Sequence, residues 1–190
     1  LQSGQSATFT GPDSIQNILG RVTGAKISEI DGLIKSEIND ANLYLLNPNG
    51  FLFGKNANVD VDGAFTLSTR QSLKLSEDGS FNAVNPDQSV FTSAAPDAFG
   101  FLEDNPGGRI KFSGSRLILE NSVNLVGGDI RMDDSVIYSK SEGRPTGVRV
   151  EGGNLEIVDS QIRNLSKVEV DGVKQGIEID LKGDLEITDT

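Results

Sequence analysis

The 190-residue sequence contains no cysteine, no histidine and no tryptophan. Without thiols there are no disulfides and no thiolate metal sites. Without imidazoles there are no histidine ligands and no histidine-based triad. The lack of cysteine also suits an export route in which a chain is threaded unfolded, because stray disulfides would obstruct it. No apolar run approaches the roughly 18 residues of a membrane span. No apolar leader follows Leu1, and the first residue is not methionine, which predicts a piece of a longer chain. Basic residues are scarce: 17 Lys and Arg against 28 Asp and Glu give a formal net charge of −11. That balance argues against nucleic acid or an anionic membrane as a partner, since both require basic patches. The acidic residues are spread along the chain and read as solvated strand faces.

What is present is glycine, 22 residues of it, set among short alternating segments. The clearest run is residues 42–69. Leu43/Leu45, Phe51/Phe53, Val59/Val61 and Phe65/Leu67 each have a two-residue period, which turns one face of a strand toward a core. Between them stand Asn47-Pro48-Asn49-Gly50, Gly54 to Asn58, and Asp62-Gly63. Proline presets φ, glycine tolerates positive φ, and asparagine caps its own backbone, so these are corners. The same pattern recurs from Gly108 onward in Ile110/Phe112, Leu117/Leu119, Ile130/Met132, Val148/Val150, Leu155/Ile157, Ile177/Ile179 and Leu185/Ile187. Aligning Leu117–Ser122 with Leu155–Ser160 gives a repeat of about 38 residues, an intervening copy at Ile130 gives about 13, and Gly147 to Gly176 gives about 29. Single strands joined by corners, with few two-residue hairpin signals, favour a coil of stacked strands over an antiparallel sandwich. The fold expected is all-β, a right-handed parallel β-helix forming a single domain over residues 1–190, with asparagine and serine at equivalent corners forming hydrogen-bonded ladders.

Elsewhere the pattern is weaker. Residues 14–22 place Ile15, Ile18, Leu19 and Val22 at helical spacing, but Gly20 and Val22 weaken a helix, and an extended segment is expected. Residues 27–38 read as a strand after a short turn at Ser28-Glu29. Leu73-Lys74-Leu75 continues the coil, followed by a hairpin-like Glu77–Ser80. Residues 85–108 differ, with Pro86, Pro96 and Pro106 around a dense apolar knot that includes Phe99, Phe101 and Leu102. Proline is excluded from central strands. This stretch is therefore expected to leave the main body, its phenylalanines either covering a flank of the core or forming a partner-facing patch.

The ordered set Asn47-Pro48-Asn49-Gly50-Phe51-Leu52-Phe53-Gly54 resembles the signature of the filamentous haemagglutinin N-terminal domain, the two-partner secretion domain. Residues 18–24 with Ile30-Asp31-Gly32 resemble the segment before that signature. Residues 98–102, Pro106-Gly107, Ile110 and residues 125–130 resemble cyanobacterial members, so the likeness covers about residues 5–132, with 133–190 continuing the rungs. The resemblance implies a right-handed parallel β-helix and a secreted protein that crosses an outer membrane. The implied partner is a dedicated barrel transporter whose periplasmic POTRA domains recognise the domain in extended form. Full-length members are commonly adhesins, haemagglutinins or haemolysins, which implies host or neighbouring-cell surface ligands. Two departures stand out: a second motif, NPNL, is missing upstream, and the first strands that form the N-terminal cap are expected to be absent.

Asn58-Val59-Asp60-Val61-Asp62-Gly63 has carboxylates at a spacing that suggests Ca²⁺, yet Asp60 and Asp62 alternate with inward valines and lack the further ligands of a calcium loop. Asp129, Asp133-Asp134 and Glu103-Asp104 read as solvated corners. No nucleophile elbow or phosphate loop is present. No catalytic residue, metal ligand or cofactor is therefore assigned. The site residues are Asn47, Pro48, Asn49 and Gly50, either a transporter-recognition element or a turn fixing the register between rungs. A carbohydrate-active or carbohydrate-binding β-helix module is the alternative.

Overall fold

Leu43, Phe65, Val123, Val148 and Ile177 stand in one column, each the parallel in-register neighbour of the next. The column forms because each residue takes the inward position of a short strand and strands stack about 4.8 Å apart. The computed structural model describes residues 1–75, 78–92, 96, 98–100, 107–141, 145–166 and 176–189. Strand β1 (Ser6–Phe9) is followed by a first coil of β2 (Asn17–Arg21), β3 (Ser28–Ile30) and β4 (Leu33–Ser36). A second coil holds β5 (Asn42–Leu46), β6 (Phe51–Phe53) and β7 (Asn58–Asp60). The third begins with β8 (Phe65–Ser68), departs through β9 (Ser72–Leu75), β10 (Gly79–Asn82), a 3₁₀ turn Pro86–Gln88 and β11 (Ala98–Gly100), then resumes with β12 (Ile110–Ser113) and β13 (Arg116–Leu119). Next come β14 (Val123–Val126), β15 (Ile130–Asp133) and β16 (Val136–Ser141), then β17 (Gly147–Gly152), β18 (Leu155–Val158) and β19 (Gln161–Ser166). Strands β20 (Gly176–Leu181) and β21 (Leu185–Thr188) begin a further coil.

Each coil contributes one strand to each of three faces. Two faces are six-stranded parallel sheets, β2-β5-β8-β14-β17-β20 and β3-β6-β12-β15-β18-β21; the third is made of β1-β4-β7 and β13-β16-β19. The expected solenoid is present as a parallel β-helix, and a right-handed coil is what the crossover rule for parallel strands favours. Its interior is a continuous apolar column in which Phe53 and Phe112, both fully buried, stack with ring centroids 5.1 Å apart.

The corners carry polar ladders. Ser115, Ser135 and Ser160 occupy equivalent positions: the Ser115 N–H donates to the Ser135 hydroxyl at 3.0 Å and the Ser135 N–H to the Ser160 hydroxyl at 2.8 Å. Asp134 and Asp159, which precede two of these serines, adopt φ of 45° and 46°, a left-handed conformation that aspartate tolerates. At another corner Asp31 accepts from the Asn56 backbone N–H (2.9 Å) and side-chain amide (2.8 Å), 25 residues on. Asp129 and Asn154 repeat that clasp. The Asn56 side chain, its backbone N–H and nearby Lys55 hold the Asp31 carboxyl below the ordinary aspartate range. A lowered pKa contributes stability above the unfolded-state value, and this is lost as pH falls through the folded value. Asn56→Ala should therefore lower the melting temperature near neutral pH, and its gap from wild type should narrow on acidification through the Asp31 titration. A gap independent of pH would remove the clasp from the account.

The three-stranded sheet β10-β9-β11 is antiparallel and lies against the outside of the helix. Leu73, Leu75, Phe81 and Ala83 pack with Leu19, Tyr44 and Leu46, outward residues of the first two coils, as a second apolar cluster. Strand β8 is consequently buried on both faces. The expected excursion is real but begins earlier than residue 85, because Leu73-Lys74-Leu75 belongs to it. Two-residue alternation is the same whether a strand's neighbour is parallel or antiparallel, so the pattern could not mark the departure. Residues 14–22 are extended at β2, as expected, and the hairpin at Gly79 is present. Residues 27–38 form two strands, with the corner at Asp31-Gly32; Ser28 and Glu29 lie within β3.

The repeat is corrected too. Ile130 pairs with Leu155, and Arg116 pairs with Val136 on a different face. The offsets of about 38 and 13 compared strands of different faces, whereas the offset of about 29 from Gly147 to Gly176 is a true register pair. Equivalent positions in successive coils are 20 to 30 residues apart, except across the excursion, where they are 58 or 59 apart.

Candidate functional site

Asn47, Pro48, Asn49 and Gly50 form the corner between β5 and β6. Asparagine first, proline second and glycine fourth suit a type I turn, and the Gly50 N–H donates to the Asn47 carbonyl at 3.0 Å to close it. Gly50 has φ of 115°, where a side chain would be strained.

The two asparagines point opposite ways. Asn47 is fully buried. Its amide donates to the Lys26 carbonyl (3.0 Å) and the Ser28 hydroxyl (2.8 Å) of the first coil. Its Oδ1 accepts from the backbone N–H and the side-chain amide of Asn49, both at 3.0 Å. Asn49 is exposed, and its amide also donates to the Gly24 carbonyl at 2.8 Å. The main chain is held from both sides. The Ser28 N–H donates to the Gly50 carbonyl, and the Gly108 N–H donates to the Pro48 carbonyl at 2.8 Å. The Phe51 N–H donates to the Arg109 carbonyl at 3.0 Å. The corner thus sits between the coil before it and the chain returning from the excursion.

Phe99 lies in β11, in register with Leu73. Phe101 and Leu102 lie outside the described residues, as does the side-chain setting of Phe99. Asp60 is on the outward face of β7, 3.7 Å from Lys35 Nζ, and Asp62 is exposed. Glu103 and Asp104 lie outside the described residues.

Several residues that shape this region gave no signal in the sequence. Arg21 lies over the Phe81 ring at 4.7 Å and donates to the Asn82 carbonyl and the Ser89 hydroxyl, both at 2.7 Å, tying the excursion to the first coil. Arg70, where the chain departs, is buried and pairs with Glu151 at 3.0 Å. Burial lowers its pKa, and the Glu151 carboxylate opposes that shift. Thr69 stacks beneath Gly127 and Gly128, its hydroxyl accepting from the Gly128 N–H at 3.0 Å. An isolated Arg or Thr in a sequence does not announce a partner 59 or 81 residues away.

A parallel β-helix pinned near its start by an NPNG corner, with an antiparallel sheet on its flank, defines a β-solenoid domain. A family model, the TPS secretion domain, matches residues 1–189, and the chain belongs to that family. It is a secretion-targeting domain, recognised by an outer-membrane transporter and exported through the outer membrane to the cell surface or beyond. A curated protein similar to it is the heme/hemopexin-binding protein of Haemophilus influenzae, 34% identical over 74 residues. That alignment covers 39% of this chain and 8% of the relative, so the chain spans a small part of that protein. No solved structure matches. The comparisons give no support to the carbohydrate module.

Proposed function

We propose that this domain acts as the export signal of a larger secreted protein, bound while unfolded by the periplasmic POTRA domains of its transporter and folded into the β-helix outside the cell. The observation that carries this is the family match over residues 1–189 together with the Asn47–Gly50 corner. In the unfolded chain all four corner residues are open to a partner. In the fold Asn47 is sealed and Asn49 remains at the surface. One sequence can thus be read by the transporter first and used as a register turn afterwards. The role is binding and folding rather than catalysis, in keeping with corner carboxylates such as Asp31 and Asp129 that are already engaged by neighbouring coils.

The full-length protein is proposed to be adhesin-like, with ligands on host or neighbouring-cell surfaces. The relative's haem and hemopexin binding is not carried over, since the likeness is confined to the secretion domain. The test holds the chain unfolded in mild urea and measures its binding to the transporter's periplasmic domains. Wild type should bind, and Asn49→Ala should bind about tenfold more weakly, the equivalent of about 1.4 kcal/mol. Equal binding would leave the corner a folding element. No binding by wild type would overturn the reading.

A further inference from the structure

The corner holds two asparagines with opposite chemical prospects. An asparagine side chain cyclises when the backbone nitrogen of the next residue attacks its carbonyl carbon. Asn47 is closed to this route, because the nitrogen of Pro48 carries no hydrogen to lose. Asn49 precedes Gly50, whose nitrogen is the least hindered of any residue's. It is the one Asn-Gly pair in the sequence.

In the folded domain every participant in that reaction is occupied. The Gly50 N–H, the nucleophile, is committed to the Asn47 carbonyl at 3.0 Å. The Asn49 carboxamide is held by donation to Gly24 and to Asn47 Oδ1. The turn between them is gripped by Ser28 on one side and Gly108 on the other. None of these restraints survives in an unfolded chain.

We propose that Asn49 is a modification site, closed in the β-helix and open in the unfolded chain, whose conversion to isoaspartate bars the domain from folding. The Gly50 nitrogen gives up its proton to solvent base and bonds to the Asn49 side-chain carbon. The bond from that carbon to the amide nitrogen breaks, and the nitrogen takes a proton from water and leaves as ammonia. Water then opens the resulting succinimide at either carbonyl, giving aspartate or isoaspartate. Isoaspartate puts an extra methylene into the backbone, so the turn from Asn47 to Gly50 no longer closes. Aspartate also loses both amide donations, but its exposed carboxylate can turn from the Gly24 carbonyl and Asn47 Oδ1 to water, so it weakens the corner without barring the fold. Any interval spent unfolded thus runs a clock at this corner, and folding stops it. This chemistry stands apart from transporter recognition and is tested without the transporter.

The 190-residue chain is incubated at mildly alkaline pH, folded in buffer and unfolded in urea, and peptide-mapped over time by mass spectrometry. The urea sample is then diluted to refold, and the folded and unfolded fractions are mapped separately. Asn85, which precedes Pro86, is an exposed internal control. Unfolded chains should convert at Asn49 ahead of their other asparagines. Folded chains should convert more slowly by about tenfold or more, since each 1.4 kcal/mol of opening energy suppresses the reactive state tenfold. Chains carrying isoaspartate at residue 49, resolved from the isobaric aspartate form by chromatography, should collect in the unfolded fraction, and Asn49→Ser aged in the same way should keep its refolding yield. Equal conversion in folded and unfolded samples would overturn the proposal. So would isoaspartate chains appearing in the refolded fraction in proportion to their share, a readout on wild type that holds even if the variant folds poorly.

Discussion

Asn47→Ala is expected to destabilise the domain by about 3–5 kcal/mol, among the larger effects of a single polar substitution. The side chain is fully buried and makes four hydrogen bonds, two donated to the first coil and two accepted from Asn49. A typical bond contributes about 1 kcal/mol net, and each buried group left unsatisfied costs a further 1–3 kcal/mol or so. Alanine loses all four bonds together, cuts the corner's link to Lys26 and Ser28, and opens a gap that the rigid corner cannot close. Asn49→Ala removes donations from an exposed side chain, which water replaces, and should cost about 1 kcal/mol. Urea denaturation followed by circular dichroism should show a lower midpoint for Asn47→Ala at unchanged slope. Equal losses for the two variants would mean that burial does not separate them.

Gly108→Ala is expected to prevent stable folding. A Cβ at residue 108 would press on the Asn49 carbonyl group and lie 2.6 Å from the Gly50 nitrogen. These are main-chain atoms of a turn fixed from both sides, so neither strand can yield without opening the seam where β12 rejoins β6. The comparison is Gly24→Ala, where a Cβ meets nothing within 4 Å. That change should be neutral, or stabilising by up to about 1 kcal/mol through the unfolded chain. Thermal melts of the two glycine variants read the contrast directly. A folded Gly108→Ala protein with native stability would show that the seam is looser than its packing indicates.

The alternation of Phe51/Phe53 and Val59/Val61 gave away strands, and the turn chemistry of Asn47 to Gly50 gave away the corner, because both are encoded within four residues. What lay beyond reach was coupling between coils. The partners of Asn47 lie 19 and 21 residues upstream, and coil length varies, so no fixed period leads to Ser28 or Lys26. The antiparallel excursion was visible through its prolines but not through Leu73, which looks the same in either kind of sheet. The split roles of Asn47 and Asn49 were also hidden, since a turn motif does not say which amide faces inward. The resemblance to the secretion domain carried the function, and the residues alone carried the architecture.

The bonds of the Asn47 corner differ in when they can first be made. All the partners of the two asparagine side chains precede residue 50, so a chain emerging from its amino end can close this latch once two coils are out. The bonds to Gly108 and Arg109 must wait for the whole excursion to follow. Loop closure grows slowly with length, about 0.6 kcal/mol per doubling, so the long gap costs little at equilibrium. It costs time instead, because non-local contacts slow folding. The two sets of bonds therefore act as successive teeth of a ratchet, the first resisting backsliding while the second is still out of reach.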